Sequence, residues 1–337
     1  MAGIGNLCSS LVQGTYFYKK ETIGLMQMEL GGYRPENIKF CAAFDISREK
    51  VGKDLSEAIF SKPNNAPKFT IVPKTRIMVK MGHLPNNSVK SAFTAIEKAD
   101  AEPVDVASEL RRSRADLLIN LISGGSDKAS KLYAKSAIDA GCGFLNATPS
   151  SIASDQVWAK SFRSESLPLT GDDLLDQIGA TALHKGILEF LNNRGARLDE
   201  SYQLDVGGGT ESVDTLEKTK DIKRSIKTAA VTGSIPYRFP LVSGSTDFVD
   251  FLDNKRDSFF WVKGKYFGGA AFNLDIKLSS VDAPNGGSIL LDAIRAMKIA
   301  RDKGLSGVID PICKYAFKRS EVKSLEQAHT EFMKLVG

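Results

Sequence analysis

Gly171-Asp172-Asp173-Leu174-Leu175-Asp176-Gln177-Ile178-Gly179-Ala180-Thr181 decides how this chain is read, together with Tyr202-Gln203-Leu204-Asp205-Val206-Gly207-Gly208-Gly209 further on. A glycine and two acids entering an apolar-periodic stretch predict a helix capped by Asp172, running to about Asn192 and stopped by Gly195. The second stretch reads as a strand that runs into three glycines, where bare backbone can approach a polar ligand. Helix then strand, each opening or closing on glycine, is the grammar of an α/β fold with a ligand at the strand ends.

The same alternation extends upstream. Residues 38–46 read as a buried strand ending in an acid, residues 115–123 and 143–148 as two more, and residues 167–170 as a short fourth. Residues 126–140 have helical spacing, closed by Gly141 and Gly143. The fold class expected is α/β, a Rossmann-type doubly wound parallel sheet with an inserted α+β domain. Downstream the period changes: residues 258–265 and 270–281 alternate around a Gly268-Gly269 turn. In the second of these, Phe272, Leu274, Ile276 and Leu278 share one face, and Asn273, Asp275, Lys277 and Ser279 the other. That pattern predicts a half-buried, largely antiparallel sheet. Asp282-Ala283-Pro284-Asn285-Gly286-Gly287 reads as a break before a helix over 288–303. The boundaries expected are residues 1–175 plus 284–337 for the nucleotide domain and 176–283 for the insertion.

Composition narrows the function classes. Of 337 residues, 42% are hydrophobic and 25% charged, which suits a globular chain with ample core. The net charge of +5 is dispersed, and no basic run is interleaved with aromatics, so no nucleic-acid partner is expected. No apolar run reaches the roughly 18 residues of a membrane span, and no secretory leader is recognised. Cys8, Cys41, Cys142 and Cys313 lie far apart in apolar or small-residue settings and read as reduced core thiols of a cytoplasmic protein. His83, His184 and His329 are isolated, and no His/Cys ligand cluster is present. His184 is expected on a helix face.

Gly3-Ile4-Gly5-Asn6-Leu7-Cys8-Ser9 carries the dinucleotide signal. Two glycines before a helix let backbone approach a pyrophosphate, and the helix N-terminus favours its charge. Cys8 replaces the usual third glycine with another small residue. Asp45, at the end of the next strand, is placed to take ribose hydroxyls, and an acid there favours NAD over NADP. The motif needs a strand before Gly3. The expectation is therefore that the natural protein carries several more apolar residues ahead of Met1.

Several stretches resemble the inositol-1-phosphate synthases, most closely the short archaeal and bacterial form. They are Gly5-Asn6 through Gly14, Ile152-Ala153-Ser154-Asp155 with Trp158, the Gly171-Asp172-Asp173 segment, Tyr202 to Gly208, Asn273 to Leu278, and Asp282-Ala283-Pro284-Asn285. The resemblance implies an NAD-dependent isomerase of inositol and phospholipid biosynthesis. Such an enzyme cyclises glucose 6-phosphate by oxidation at C5, enolate attack on C1 and re-reduction. It also implies that the inserted domain is the catalytic and tetramerisation domain of a homotetramer, with a small sugar phosphate as partner and in some members a divalent metal ion. It assigns catalysis to Lys223, Lys227, Lys255 and Lys277, with Arg256 able to take the Lys255 slot by a shift of one. It assigns cofactor contact to Gly3, Gly5, Asn6, Cys8, Ser9, Asp45, Asp172 and Thr181, with helix capping the competing role of Asp172. Lysines suit the chemistry, because burial and neighbouring lysines lower their pKa and let them move protons.

The chain departs from the family pattern at Leu175 and Asp176, where lysine and then serine are usual, and at Gly209, where asparagine is usual. Leucine supplies no charge, and Asp176 sets a carboxylate near the expected phosphate. Two alternatives therefore stay open: an oxidoreductase or cyclase acting on another polyol or sugar phosphate, and a non-catalytic NAD-binding relative.

Overall fold

The computed structural model describes residues 1–85, 96–209, 212–213, 215–321 and 324–337. The first half alternates α1 (Asn6–Phe17), β1 (Ala43–Asp45), α2 (Leu55–Ala58), β2 (Val79–Met81), α3 (Val106–Arg112), β3 (Leu117–Asn120), α4 (Asp127–Ala140), β4 (Gly143–Asn146), α5 (Gln156–Ser164) and β5 (Pro168–Thr170). The second half continues with α6 (Ala180–Asn193), β6 (Arg197–Gly207), α7 (Lys220–Thr232), β7 (Leu241–Phe248), β8 (Lys255–Lys265) and β9 (Ala271–Val281). It closes with α8 (Asp282–Asp302), β10 (Gly307–Val308), α9 (Asp310–Ala316) and α10 (Leu325–Val336).

β1 pairs with β2, and β3, β4, β5 and β10 pair in that order, every pair parallel. Ala2 joins the two groups, bridging Phe44 on one side and Asn120 on the other in parallel. Ala2 thus stands in the strand position ahead of Gly3. The order β2-β1-Ala2-β3-β4-β5-β10 is doubly wound, and the winding reverses at Ala2. That reversal is the switch point at which such sheets take ligands.

Two expected elements differ. α6 begins at Ala180, not Asp172, because the intervening backbone is engaged elsewhere: the N–H groups of Asp173, Leu174, Leu175 and Gln177 donate to Thr148 O, Ala147 O, Ala316 O and Asn285 O. Asp173 also has a φ of +61°, which no helix continues through. The segment 282–287 is not a break but the start of α8. Pro284 is tolerated there because first-turn N–H groups lack intrahelical acceptors. The glycines serve close packing instead. A Cβ on Gly286 would lie 2.8 Å from Leu7 Cδ1, and one on Gly287 3.1 Å from Ser10 Cβ, so α8 runs tight against α1. Leu11, Leu290, Ala293 and Met297 extend that contact into the main core.

The second sheet has the order β7-β6-β8-β9. Its β6–β8 and β8–β9 pairs are antiparallel, and its β6–β7 pair is parallel. Leu188 of α6 and Val231 of α7 pack with Leu198 and Val262 on its inner face. Along β6 the inner Ser201, Gln203 and Asp205 are buried, whereas Tyr202 and Leu204 are exposed. Cys8, Cys142 and Cys313 are buried and Cys41 is exposed, so the fourth thiol is not a core residue. Among the described residues no helix is long and apolar enough to cross a membrane.

Candidate active site

A cavity of about 230 Å³ lies where the two sheets meet, walled by the first turn of α1, the ends of β3 and β4, the start of α6 and the inner face of the second sheet. Its first half is formed by the glycine loop and the start of α1. Gly3, at φ +87°, brings the chain so close to β3 that a Cβ would sit 2.7 Å from the Leu121 carbonyl carbon. A Cβ on Gly5 would meet nothing within 4 Å, so the space before α1 is open. Gly5, Asn6 and Leu7 line it, at the positive end of the α1 dipole. Thr181 lines the same cavity from α6.

Other residues expected at the cofactor have different duties. Cys8 is fully buried beside Met1, its thiol pushed up to about 12 by burial, and Ser9 accepts from Gln13 Nε2 inside the core. Asp45 accepts from the N–H of Ile4 at 2.7 Å through Oδ2, and from Ile46 and Ser47 through Oδ1. It shapes the glycine loop and does not line the cavity. Asp172 is wholly buried, does not cap α6 and does not line the cavity. Its Oδ1 accepts from Asn146 Nδ2 and Ala153 N–H, and its Oδ2 from Ile152 N–H, Ser154 N–H and Ser154 Oγ.

The second half gathers cations. Lys223 and Lys227 enter from α7, Arg256 from β8 and Lys318 from the segment after α9. Lys227 Nζ is 2.6 Å from Asp205 Oδ2, and Gln203 Nε2 donates to both Asp205 oxygens at 3.0 Å. Arg256 forks onto Asp282, Nε to Oδ1 at 2.8 Å and an Nη to Oδ2 at 2.6 Å. Lys318 Nζ donates to Leu174 O at 2.6 Å and lies 3.4 Å from Asp173 Oδ1. Lys223 makes no hydrogen bond among the described residues. Burial pushes its pKa down, with Lys318, Lys227 and Arg256 adding to the shift against Asp173. Burial also disfavours charge on Lys318, but Asp173 and Asp176 outweigh it and hold the ammonium above its ordinary value. Asp173 is held below the ordinary carboxylate range, its burial offset by Lys318, Lys223 and Lys227.

Lys255 and Lys277 are not in this cluster, and strand parity is the reason. The cavity takes Arg256 from β8 and Ser280 from β9, so odd-numbered neighbours on each strand face the other way. Lys255 is exposed. Lys277 pairs with Asp257 at 2.9 Å and lies over the Phe259 ring on the outer face. The reading missed Lys318, which no local pattern marks: it arrives by tertiary pairing, Lys318 N–H donating to Asp173 O. Of the two departures from the family pattern, Leu175 is buried away from the cavity, whereas Asp176 lines it. His184 sits at the α6 face toward β6, with Nε2 2.8 Å from Ser201 Oγ, and burial lowers its pKa to about 4. Among the described residues no three or more His, Cys, Asp or Glu side chains gather as metal ligands.

The family model for myo-inositol-1-phosphate synthase matches residues 179–283, the stretch that carries Lys223, Lys227 and Arg256. The chain is 40% identical over 327 residues to the inositol-3-phosphate synthase of Mycobacterium tuberculosis, covering 94% of this chain and 89% of that protein. The chain belongs to the inositol-3-phosphate synthase family. It is therefore an enzyme, and the lysine-lined cavity is its candidate active site. The inositol-3-phosphate synthase of Corynebacterium glutamicum is also 40% identical, over 333 residues that cover 94% of this chain and 92% of that one. In structure, a myo-inositol-1-phosphate synthase-related protein from Thermotoga maritima aligns with a TM-score of 0.79 over 100% of this chain and 97% of its own, at 20% identity, a likeness of fold.

Proposed function

We propose that this member of the inositol-3-phosphate synthase family is a cytoplasmic, NAD-dependent isomerase that cyclises glucose 6-phosphate to myo-inositol 1-phosphate for inositol and phospholipid synthesis. The observation that carries the reading is the convergence of Lys223, Lys227, Arg256 and Lys318 on a cavity whose other half is the open N-terminus of α1. Residues 1–175 with 284–337 hold the cofactor, and 176–283 supply most of the catalytic side chains. Backbone N–H groups at Gly5, Asn6 and Leu7 fit a pyrophosphate, Asp45 fixes their loop, and Thr181 lies toward the reacting end. Bound NAD supplies reversible hydride exchange at C5.

The protein's own residues do the rest. Lys318 and Arg256, both held charged by buried carboxylates, bind the phosphate and the developing oxyanions. Lys223, the cation whose environment favours the neutral amine, takes the proton from C6 at Nζ. Lys227, aimed by Asp205, donates to the oxygen formed as the ring closes. The exposed outer face of the second sheet, where Tyr202 stacks on Trp261 at 5.6 Å beside Leu204, Val242 and Phe259, fits self-association toward a homotetramer. One observation favours a second reading, another polyol as substrate: Asp176 lines the cavity. Incubation with glucose 6-phosphate and NAD, followed by phosphorus NMR with absorbance at 340 nm, separates them. An inositol phosphate signal without net NADH is expected. Accumulating NADH, or no product from folded, NAD-loaded protein, would turn the assignment to another substrate.

A further inference from the structure

Asp176 is the one carboxylate at the cavity without a partner among the described residues. Asp205 pairs with Lys227 at 2.6 Å, Asp282 with Arg256 at 2.6 Å and Asp173 with Lys318 at 3.4 Å. Lys227, Arg256 and Lys318 thus each hold a carboxylate of their own, and Asp176, which lines the cavity, is left without one of them. The Asp176 carboxylate lies against two glycines whose missing side chains leave it room: a Cβ on Gly179 would lie 2.9 Å from its Oδ2, and one on Gly286 3.3 Å from its Oδ1.

A phosphate dianion entering this cavity meets the Asp176 carboxylate at close quarters, and like charges there disfavour ionisation of one of them. Resting on the proposed sugar-phosphate activity, we infer that Asp176 makes substrate binding proton-coupled: the phosphate dianion enters together with one proton, which rests on Asp176. The groups facing this carboxylate are Asp282 of α8, Arg256 of β8, Lys318 after α9 and Asp173 on its own segment. Burial raises its pKa, and Asp282 and Asp173 add to the shift against Lys318 and Arg256. The serine usual in the family at this position titrates nothing, so this coupling belongs to this chain.

The test is calorimetric titration of the full chain, loaded with NAD, with glucose 6-phosphate at pH 8 in buffers of different ionisation heat. At that pH the ligand is a dianion, its second pKa being about 6. Wild type is expected to take up about one proton more than D176S, and its affinity to fall with pH by roughly tenfold per unit more steeply than that of D176S. D176N, which keeps the shape, serves as the second variant and should match D176S. Equal proton uptake in all three overturns the inference and leaves the proposed activity standing. Binding by D176S but not by wild type at any pH also overturns it, making Asp176 a barrier. Absence of binding in every variant overturns the proposed activity and this inference together.

Discussion

Replacing Asp172 by Asn tests whether this residue belongs to the scaffold or to the cofactor site. The carboxylate accepts five hydrogen bonds, two on Oδ1 and three on Oδ2. An amide has one acceptor oxygen. If that oxygen takes the Oδ2 position, the amide NH2 confronts Asn146 Nδ2 and Ala153 N–H; in the other orientation it confronts the N–H groups of Ile152 and Ser154. Asn146 cannot flip to help, because its Oδ1 already accepts from Asn120 Nδ2 at 3.0 Å and Thr148 Oγ1 at 2.9 Å. At least two bonds to a charged acceptor are lost in either orientation. At roughly 1.5–3 kcal/mol each, D172N should cost about 4 kcal/mol of stability. Urea unfolding at pH 7, read by circular dichroism, measures this from the midpoint and slope. A loss under about 1 kcal/mol, accompanied by lost NAD affinity, would refute the reasoning and return Asp172 to the cofactor.

His184 should make stability depend on pH. Its folded pKa of about 4 lies below the ordinary 6.5, so between those values the unfolded chain binds a proton that the folded chain does not. Stability is then full above 6.5 and is lost as pH falls toward 4, by about 3 kcal/mol; in H184Q that part of the acid loss should vanish from denaturation curves taken at pH 7 and pH 4.5. L204K places a charge on the exposed face of the second sheet and should give a smaller species than wild type by light scattering after size exclusion, whereas an unchanged mass would remove that face from the assembly.

The α/β alternation was legible because β3, β4 and α4 each carry an unbroken apolar pattern and Gly141, at φ +70°, closes α4 as its position promised. The alternating faces of β9 were legible for the same reason, since period two shows directly in Phe272 to Leu278. What was not legible depends on tertiary geometry. Whether Lys255 or Arg256 faces the cavity is a matter of one residue of register, and nothing in that short stretch distinguishes the parities until β8 pairs with β6. Lys318 lies far along the chain from Asp173 and is delivered by backbone pairing across the fold. Gly286 and Gly287 look like turn residues, yet they are helical and small because α1 passes close by. Asp172 resembled a helix cap, although its donors come from residues 146 and 152–154, upstream of it.

The account stands on which lysines reach the substrate. Initial rates of inositol phosphate formation should be measured for K318A beside K277A, each shown to be folded and NAD-loaded. K318A is expected to lose about 100-fold or more of turnover, as for removal of a preorganised donor to a developing oxyanion, and K277A to stay within about twofold of wild type, as an exposed ion pair allows. An inactive K277A with K318A near wild type would contradict the account.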